Sequence, residues 1–325
     1  MKNAEVVLSR MALKSFVQRK FQVKNSLLKN SLLHTALFAG LLVAAVHQVQ
    51  AATVTFAGFG NLAQQALLTT VGSPSFVDTT GTTNDGTVLR LTPAATGQSG
   101  AAYFSTAQTL GANATFSTTF KFRFTGAGGI APADGITFVL AAGTTGLGMG
   151  GGGIGILGLT NSVAIEFDNY DNGGFDGNSS NHVGLDVNGN IASTNLSNVY
   201  AIATCDFGGG SYLSDGCMAN GHLWSATISY NGSVLNASLT DPAMISTHLA
   251  LTNVAIDIGA ILGTNNAFVG FTSGTGAGFL NHDIVEWSFA NDLTLDPGNR
   301  VPEPGSLALL GLALCAARLA RRRRT

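Results

Sequence analysis

Val163-Ala164-Ile165-Glu166-Phe167-Asp168-Asn169-Tyr170-Asp171-Asn172, then Gly173-Gly174-Phe175-Asp176, and after a short gap His182-Val183-Gly184-Leu185-Asp186-Val187, is the stretch on which the reading of this chain turns. Taken as a β-strand, its first half sends Val163, Ile165 and Phe167 to one face and Glu166 and Asp168 to the other. Two carboxylates thus stand side by side on a strand whose opposite face is apolar. The chain leaves through a loop of Asn, Asp and Gly and re-enters an alternating run at His182, with Val183, Leu185 and Val187 inward. Neighbouring carboxylates repel one another unless a proton or a cation lies between them. Asp168, Asn172 and Asp176 offer the hard oxygens that suit calcium, whereas Glu166, Asp168, Asp176 and His182 form a set that suits a transition ion such as manganese. A double metal site is expected here. His182 on its own would read as a structural histidine; its place behind the carboxylates is what makes it a ligand candidate.

Working outward, residues 53–292 contain no linker, no solenoid-spaced repeat and no long amphipathic helix. They consist of short period-two runs separated by Gly, Asn, Thr and Ser. Residues 114–124 are the clearest, with Phe116, Phe120, Phe122 and Phe124 on one face and Lys121 and Arg123 on the other. Similar runs occupy 135–141, 224–230 and 283–289. About 240 residues of this kind suit one large all-β antiparallel sandwich rather than two domains.

The two ends differ from this centre. Residues 1–51 are basic and then apolar, with Arg10, Lys14, Arg19, Lys20, Lys24 and Lys29 ahead of the run 32–46. Val49-Gln50-Ala51 supplies the small residues that a signal peptidase reads, so 1–51 is expected to be an export signal, starting at Met1 or Met11. At the other end Val301-Pro302-Glu303-Pro304-Gly305 precedes an apolar stretch over 306–317, then Arg318 and Arg321 to Arg324. That stretch is shorter than the ~20 residues of a stable membrane span, and its basic cluster favours a cytoplasmic C-terminus.

Charge and cysteine use agree with export. Residues 52–300 carry four basic side chains (Arg90, Lys121, Arg123 and Arg300) against sixteen acidic ones, a net charge of −12. Such a surface excludes nucleic acid and anionic lipid as natural partners and welcomes cations. Cys205 and Cys217 flank a glycine-rich loop, and a disulfide between them is expected outside the cytoplasm, contributing about 3 kcal/mol. There is no zinc-type C-x-x-C pair.

These residues carry a family resemblance. Glu166-x-Asp168-x-Tyr170-x-Asn172, then Asp176 and His182, resembles the metal loop of the legume-type (L-type) lectins. Ala133-Asp134-Gly135-Ile136-Thr137-Phe138 is similar to the family's A-D-G strand, and His222-Leu223-Trp224 with Tyr230-Asn231-Gly232 to its W…Y-N-G hairpin. Val269-Gly270-Phe271-Thr272-Ser273-Gly274 with Glu286-Trp287-Ser288-Phe289 resembles its G-F-[ST]…W-S-F ending. The resemblance implies a concanavalin-like jelly-roll sandwich over residues 52–296 and carbohydrate as the partner. It further implies that Glu166, Asp168, Asp176 and His182 hold Mn2+ or another divalent transition ion. Ca2+ would be held by Asp168, Asn172, Asp176 and the Tyr170 carbonyl. Sugar contacts would come from Asp134, across a cis bond from Ala133, from a backbone N–H at Gly152, from Asn172 and the Tyr170 ring, and from the loop of Ala277. Taken alone, Asp134-Gly135 would read as a turn and the glycines over 146–158 as a flexible loop. Pro302-Glu303-Pro304, the apolar stretch and the arginine cluster resemble the PEP-CTERM sorting signal of Gram-negative bacteria over 297–325. That implies an exosortase-type processing enzyme, transient anchoring by a C-terminal transmembrane helix, and a destination at the cell surface or outside. A plain tail anchor is the alternative.

Two other functions remain open on the residues. Some concanavalin-like sandwiches are glycoside hydrolases with an E-x-D-x-x-E strand motif, from which Glu166-x-Asp168-x-x-Asp171 departs in its last acid. Retaining hydrolysis needs two carboxyls about 5–5.5 Å apart, which a metal between them would disable. A matrix protein that uses the fold without sugar is the third reading, and homo-oligomerisation is open in all of them.

Overall fold

The period-two runs fold as strands, each turning an apolar row inward. The computed structural model describes residues 53–296 except residue 144. The export signal expected over 1–51 and the sorting segment with its transmembrane helix expected over 297–325 lie outside the described residues. In chain order the strands are β1 (Thr53–Phe56), β2 (Leu68–Gly72), β3 (Ser75–Asp78), β4 (Thr87–Thr92), β5 (Ser99–Phe104), β6 (Gln108–Thr109), β7 (Phe116–Gly129) and β8 (Gly135–Ala141). They continue as β9 (Ser162–Asp168), β10 (His182–Val187), β11 (Leu196–Asn198), β12 (Trp224–Tyr230), β13 (Val234–Thr240), β14 (His248–Ala255), β15 (Asn266–Gly274) and β16 (Gly278–Ala290). The α-helices Leu62–Gln65 and Ile258–Leu262 are each a single turn. Among the described residues no helix is long and apolar enough to cross a membrane.

Two eight-stranded sheets result. One runs β14-β13-β12-β7-β16-β4-β3 with β1 added along β16, and the other β11-β10-β9-β8-β15-β5-β2 with β6 added on β15. Neighbours in both are antiparallel, and most are distant in sequence, as in a jelly roll. Pairing of β1 with β16 brings the two ends of the described domain together.

Aromatic rings fill the space between the sheets. Phe120 of β7 meets Phe271 of β15 at 5.0 Å and Phe167 of β9 at 5.4 Å, both edge-on. Trp287 of β16 stacks on Phe104 at 4.4 Å. Edge-on and offset pairs of this kind are worth about 0.5–1.5 kcal/mol each beyond the area they bury. On the outer face of the first sheet Lys121 pairs with Glu286 at 3.0 Å and Arg123 with Asp85 at 2.7 Å, as the alternation along β7 requires.

The second sheet departs from simple alternation. All of β8 and β9 is buried on both faces. The glycine run over 146–158, readable by itself as a flexible loop, folds back over the sheet. Ile156 and Leu159 close a second small core there with Tyr103, Val139, Ala141 and Ala164, and the Tyr103 hydroxyl donates to the Gly146 carbonyl at 2.8 Å. Glu166 and Asp168 therefore project from their strand into a covered layer instead of into water.

Candidate metal and ligand site

Strand register builds the site. Across β15, β8, β9 and β10, one rank on the outer face reads Gly274, Gly135, Asp168, His182. The next reads Thr272, Thr137, Glu166, Gly184, and two positions further along stand Gly270, Val139, Ala164 and Asp186. Antiparallel pairing thus delivers His182 directly beside Asp168, although fourteen residues separate them in sequence.

Glu166, Asp168 and His182 bring a ligand atom each within 4.8 Å of one another, all buried. His182 Nδ1 stands 3.0 Å from the Ser179 carbonyl, which only a protonated Nδ1 can satisfy. Its Nε2 is then a bare lone pair, 3.2 Å from Glu166 Oε1. Two acceptors facing each other at that distance call for a proton or a cation between them, and a histidine oriented through its other nitrogen is the usual arrangement of a metal ligand. Asp176 is 3% exposed and stands outside that tight triple. Its Oδ2 accepts from the Asn172 amide at the mouth of the loop. Tyr170, half-buried, donates its amide to Asp168 Oδ1 at 2.6 Å.

Electrostatics mark the same residues. Burial pushes the Asp134 and Glu166 carboxyls up to about 7. Burial, reinforced by the charges of Glu166 and Asp176, takes Asp168 well above the usual carboxylate range. Burial raises Asp176 and lowers His182. Without a cation this cluster is neutralised by protons instead.

Four loops meet where the first rank ends. Ala133–Asp134 is a cis peptide bond, and the Asp134 amide donates to the Gly274 carbonyl at 3.2 Å. A Cβ on Gly152 would lie 2.6 Å from Asn172 Oδ1 and Nδ2, so the Gly152 backbone presses directly on that side-chain amide. Gly276 lies against Asp134 and the glycine loop: a Cβ there would stand 3.6 Å from Asp134 Oδ2 and 3.7 Å from the Gly151 Cα. Ala277 follows it, exposed at the rim. Asp134 Oδ2 and Asn172 Oδ1 are buried polar atoms with no hydrogen-bond partner. Such groups are costly unless something else satisfies them. Oxygen donors, a bare imidazole nitrogen and the orphaned Asn172 Oδ1 fit a pair of divalent cations of the calcium and manganese type.

The residues singled out from sequence for metal or sugar binding lie on the strands and loops that meet here. Two that were not singled out also belong to it. Asp186 is 1% exposed with Oδ2 unpartnered, and Ser193 donates to Glu166 Oε1 and lies 3.0 Å from Asp186 Oδ1. Gly184 makes room for them, since a Cβ there would fall 2.2 Å from Glu166 Oε1. The alternation of His182, Gly184 and Asp186 along β10 was the available signal for Asp186; Ser193, on a loop, left none.

Two other acidic groups among the described residues differ from this cluster. Asp171 lies past the end of β9, exposed, with its carboxylate taking the Gly173 amide at 2.7 Å. Asp215, His222 and Asp241 also cluster. Asp241, however, is saturated by the Gly216 and Ala243 amides, Asn220 and His222. Burial would raise its pKa, but those hydrogen bonds hold it below the usual value, and the group reads as a structural anchor. Beside it Cys205 and Cys217 form a disulfide, Cα atoms 5.7 Å apart.

Comparison with known proteins identifies the family. Residues 53–303 match the legume lectin domain family, and residues 300–324 match the PEP-CTERM protein-sorting motif. A seed lectin beta chain from Spatholobus parviflorus is 32% identical over 191 residues, 55% of this chain and 71% of that one. A probable L-type lectin-domain containing receptor kinase VII.2 of Arabidopsis thaliana is 30% identical over 193 residues. The match takes in 54% of this chain but only 26% of the kinase. Among solved structures, basic winged bean lectin with Tn-antigen superposes with a TM-score of 0.58 at 22% identity, covering 74% of this chain and 98% of that one. The metal-free form of Griffonia simplicifolia lectin I-B4 gives 0.59 at 23% identity, covering 73% and 98%. At such identities these two likenesses speak for the fold alone.

Proposed function

Because the chain belongs to the legume lectin domain family, we propose that it is an exported, non-enzymatic carbohydrate-binding protein whose site depends on calcium and a divalent transition ion such as manganese. The observation that carries this reading is the orphaned pair of Asp134 Oδ2 and Asn172 Oδ1 beside a buried carboxylate–histidine cluster. Glu166, Asp168, Asp176 and His182 would hold the transition ion. Asp168, Asn172, Asp176 and the Tyr170 carbonyl would hold calcium. When bound, the two cations neutralise the cluster and give its acceptors a partner. Asp134 then accepts hydrogen bonds from sugar hydroxyls, Asn172 Nδ2 and the Gly152 amide donate, and the Tyr170 ring offers an apolar face to the sugar's C–H groups. Ala277, at the rim, borders the space in which one sugar is told from another. A glycan array probed with the exported protein tests this: calcium-dependent retention on a set of related sugars is expected. Binding that survives chelation, or none with both metals loaded, would overturn it.

The ends extend the proposal. Residues 1–51 act as an export signal cut by signal peptidase, residues 52–296 as the working domain, and 297–325 as a sorting segment for an exosortase-type enzyme, with the domain delivered to the cell surface or beyond. Intact-mass measurement of native material is expected to give a chain starting near Ala52 and lacking Arg321 to Arg324. Retention of those arginines would favour a plain membrane anchor.

A further inference from the structure

A glycine-rich segment has few side chains with which to fix itself, and glycine gives up more conformational freedom on folding than any other residue. Over 146–158 that freedom must be removed if the Gly152 amide is to stand at one height. Ile154 sharpens the requirement, being a buried β-branched residue at φ 45°, in the left-handed region that such residues rarely adopt.

What holds this turn comes from the strand beneath it. Thr272 Oγ1 donates to the Ile154 carbonyl at 2.7 Å, and Thr137 Oγ1 lies 2.7 Å from Thr272 Oγ1. A hydroxyl has one proton, and that of Thr272 goes to Ile154, so Thr137 is the donor to Thr272. Both threonines are fully buried. They sit opposite each other on β15 and β8, in the rank that continues to Glu166. The loop lies flush on this strand: a Cβ at Gly155 would be 3.0 Å from Thr272 Cβ, and one at Gly274 would be 2.7 Å from the Gly151 carbonyl.

We propose that Thr272, backed by Thr137, is a positioning residue for ligand binding, holding the glycine loop at the height where the Gly152 amide meets a sugar hydroxyl beside Asn172. The assignment rests on the carbohydrate-binding reading. The two hydroxyls act through the Ile154 carbonyl.

Thr272→Val keeps the shape and removes the donor, leaving the Ile154 carbonyl and the Thr137 hydroxyl unpaired in a buried layer. In the full exported protein with both metals loaded, it is expected to weaken glycan binding about tenfold or more. Calcium and manganese content should stay at the wild-type level, and Thr272→Ser should restore affinity. Thr137→Val, which leaves the bond to Ile154 in place, should lose less. Amide hydrogen exchange over residues 150–155 should quicken in Thr272→Val even without ligand. Wild-type affinity with wild-type exchange in that variant would overturn the assignment, as would loss of metal in step with loss of glycan. If the wild-type protein retains no glycan at all, the lectin reading falls, and loop exchange alone decides: quickened exchange upholds the clamp, unchanged exchange removes it. Should Thr272→Val fail to fold, the same measurements on Thr137→Val and Thr272→Ser decide in its place.

Discussion

Asp168→Ala is expected to strip both metals and abolish glycan binding together, whereas Asp134→Ala abolishes glycan binding and leaves the metal content as it was. The two aspartates lie on adjoining segments and are equally hidden, 1% and 3% exposed, so burial does not distinguish them. Their partners do. Asp168 sits in register with His182, has Glu166 two residues before it on the same face, and receives the Tyr170 amide, which places it among the donors of both proposed cations. Asp134 lies outside the tight carboxylate–histidine triple and turns an unpartnered Oδ2 toward Gly276 and the four-loop junction. Hydrogen bonds to a charged group contribute roughly 1.5–3 kcal/mol each, so losing two at Asp134 lowers affinity by about a hundredfold or more. Elemental analysis beside glycan binding on the two variants checks this. Metal loss in the Asp134 variant, or undiminished binding in the Asp168 variant, would remove the proposed division of labour.

Neither replacement should unfold the domain. The aromatic core between the sheets is built without these residues. The cluster can also survive chelation by binding protons, since burial already raises the Glu166 and Asp134 carboxyls to about 7. The β-sheet circular dichroism of chelated protein is therefore expected to match that of loaded protein. Its melting temperature should be lower, because a ligand that binds only the native state stabilises it by about 4 kcal/mol at a thousandfold excess over its dissociation constant.

The central strand was legible because core and site are written in the same string with period two. Phe167 faces the rings of Phe120 and Phe122, and that alone obliges Glu166 and Asp168 to face the other way. The sandwich was legible for a similar reason, since the runs at 135–141 and 224–230 are each a seven-residue strand from end to end. What the residues hide is whatever depends on a third layer. Alternation gives no sign that β8 and β9 are covered on both faces, nor that Ile156 and Leu159 turn a glycine run into a packed lid. Ser193 reaches Glu166 from a loop with no period to read. Thr272 looked like part of a strand motif, and its hydroxyl acquires meaning only when Ile154 is folded above it.

That lid is also where the smallest change should do the most. Gly152→Ala adds one methyl group, and its Cβ would stand 2.6 Å from the Asn172 side-chain carbon, nitrogen and oxygen alike. Real Cβ contacts do not come so close, so either the loop or the amide must move. The loop is tied down two residues later, where Thr272 takes the Ile154 carbonyl, and Gly153 packs within 2.9 Å of the Leu157 Cβ by the same measure. The amide is the softer partner. Its displacement would take Oδ1 from the proposed calcium and Nδ2 from the sugar in one step, while Glu166, Asp168 and His182 keep the geometry that the β9–β10 register gives them. Glycan binding is expected to fall by about a hundredfold, from two lost polar contacts of ~1–2 kcal/mol each. Calcium affinity should fall with it, whereas manganese content and the β-sheet spectrum should stay as they are. Isothermal titration with each metal and with glycan separates these effects. Unchanged calcium affinity would mean that the loop gives way instead of Asn172, and unchanged glycan affinity would remove Gly152 from the site.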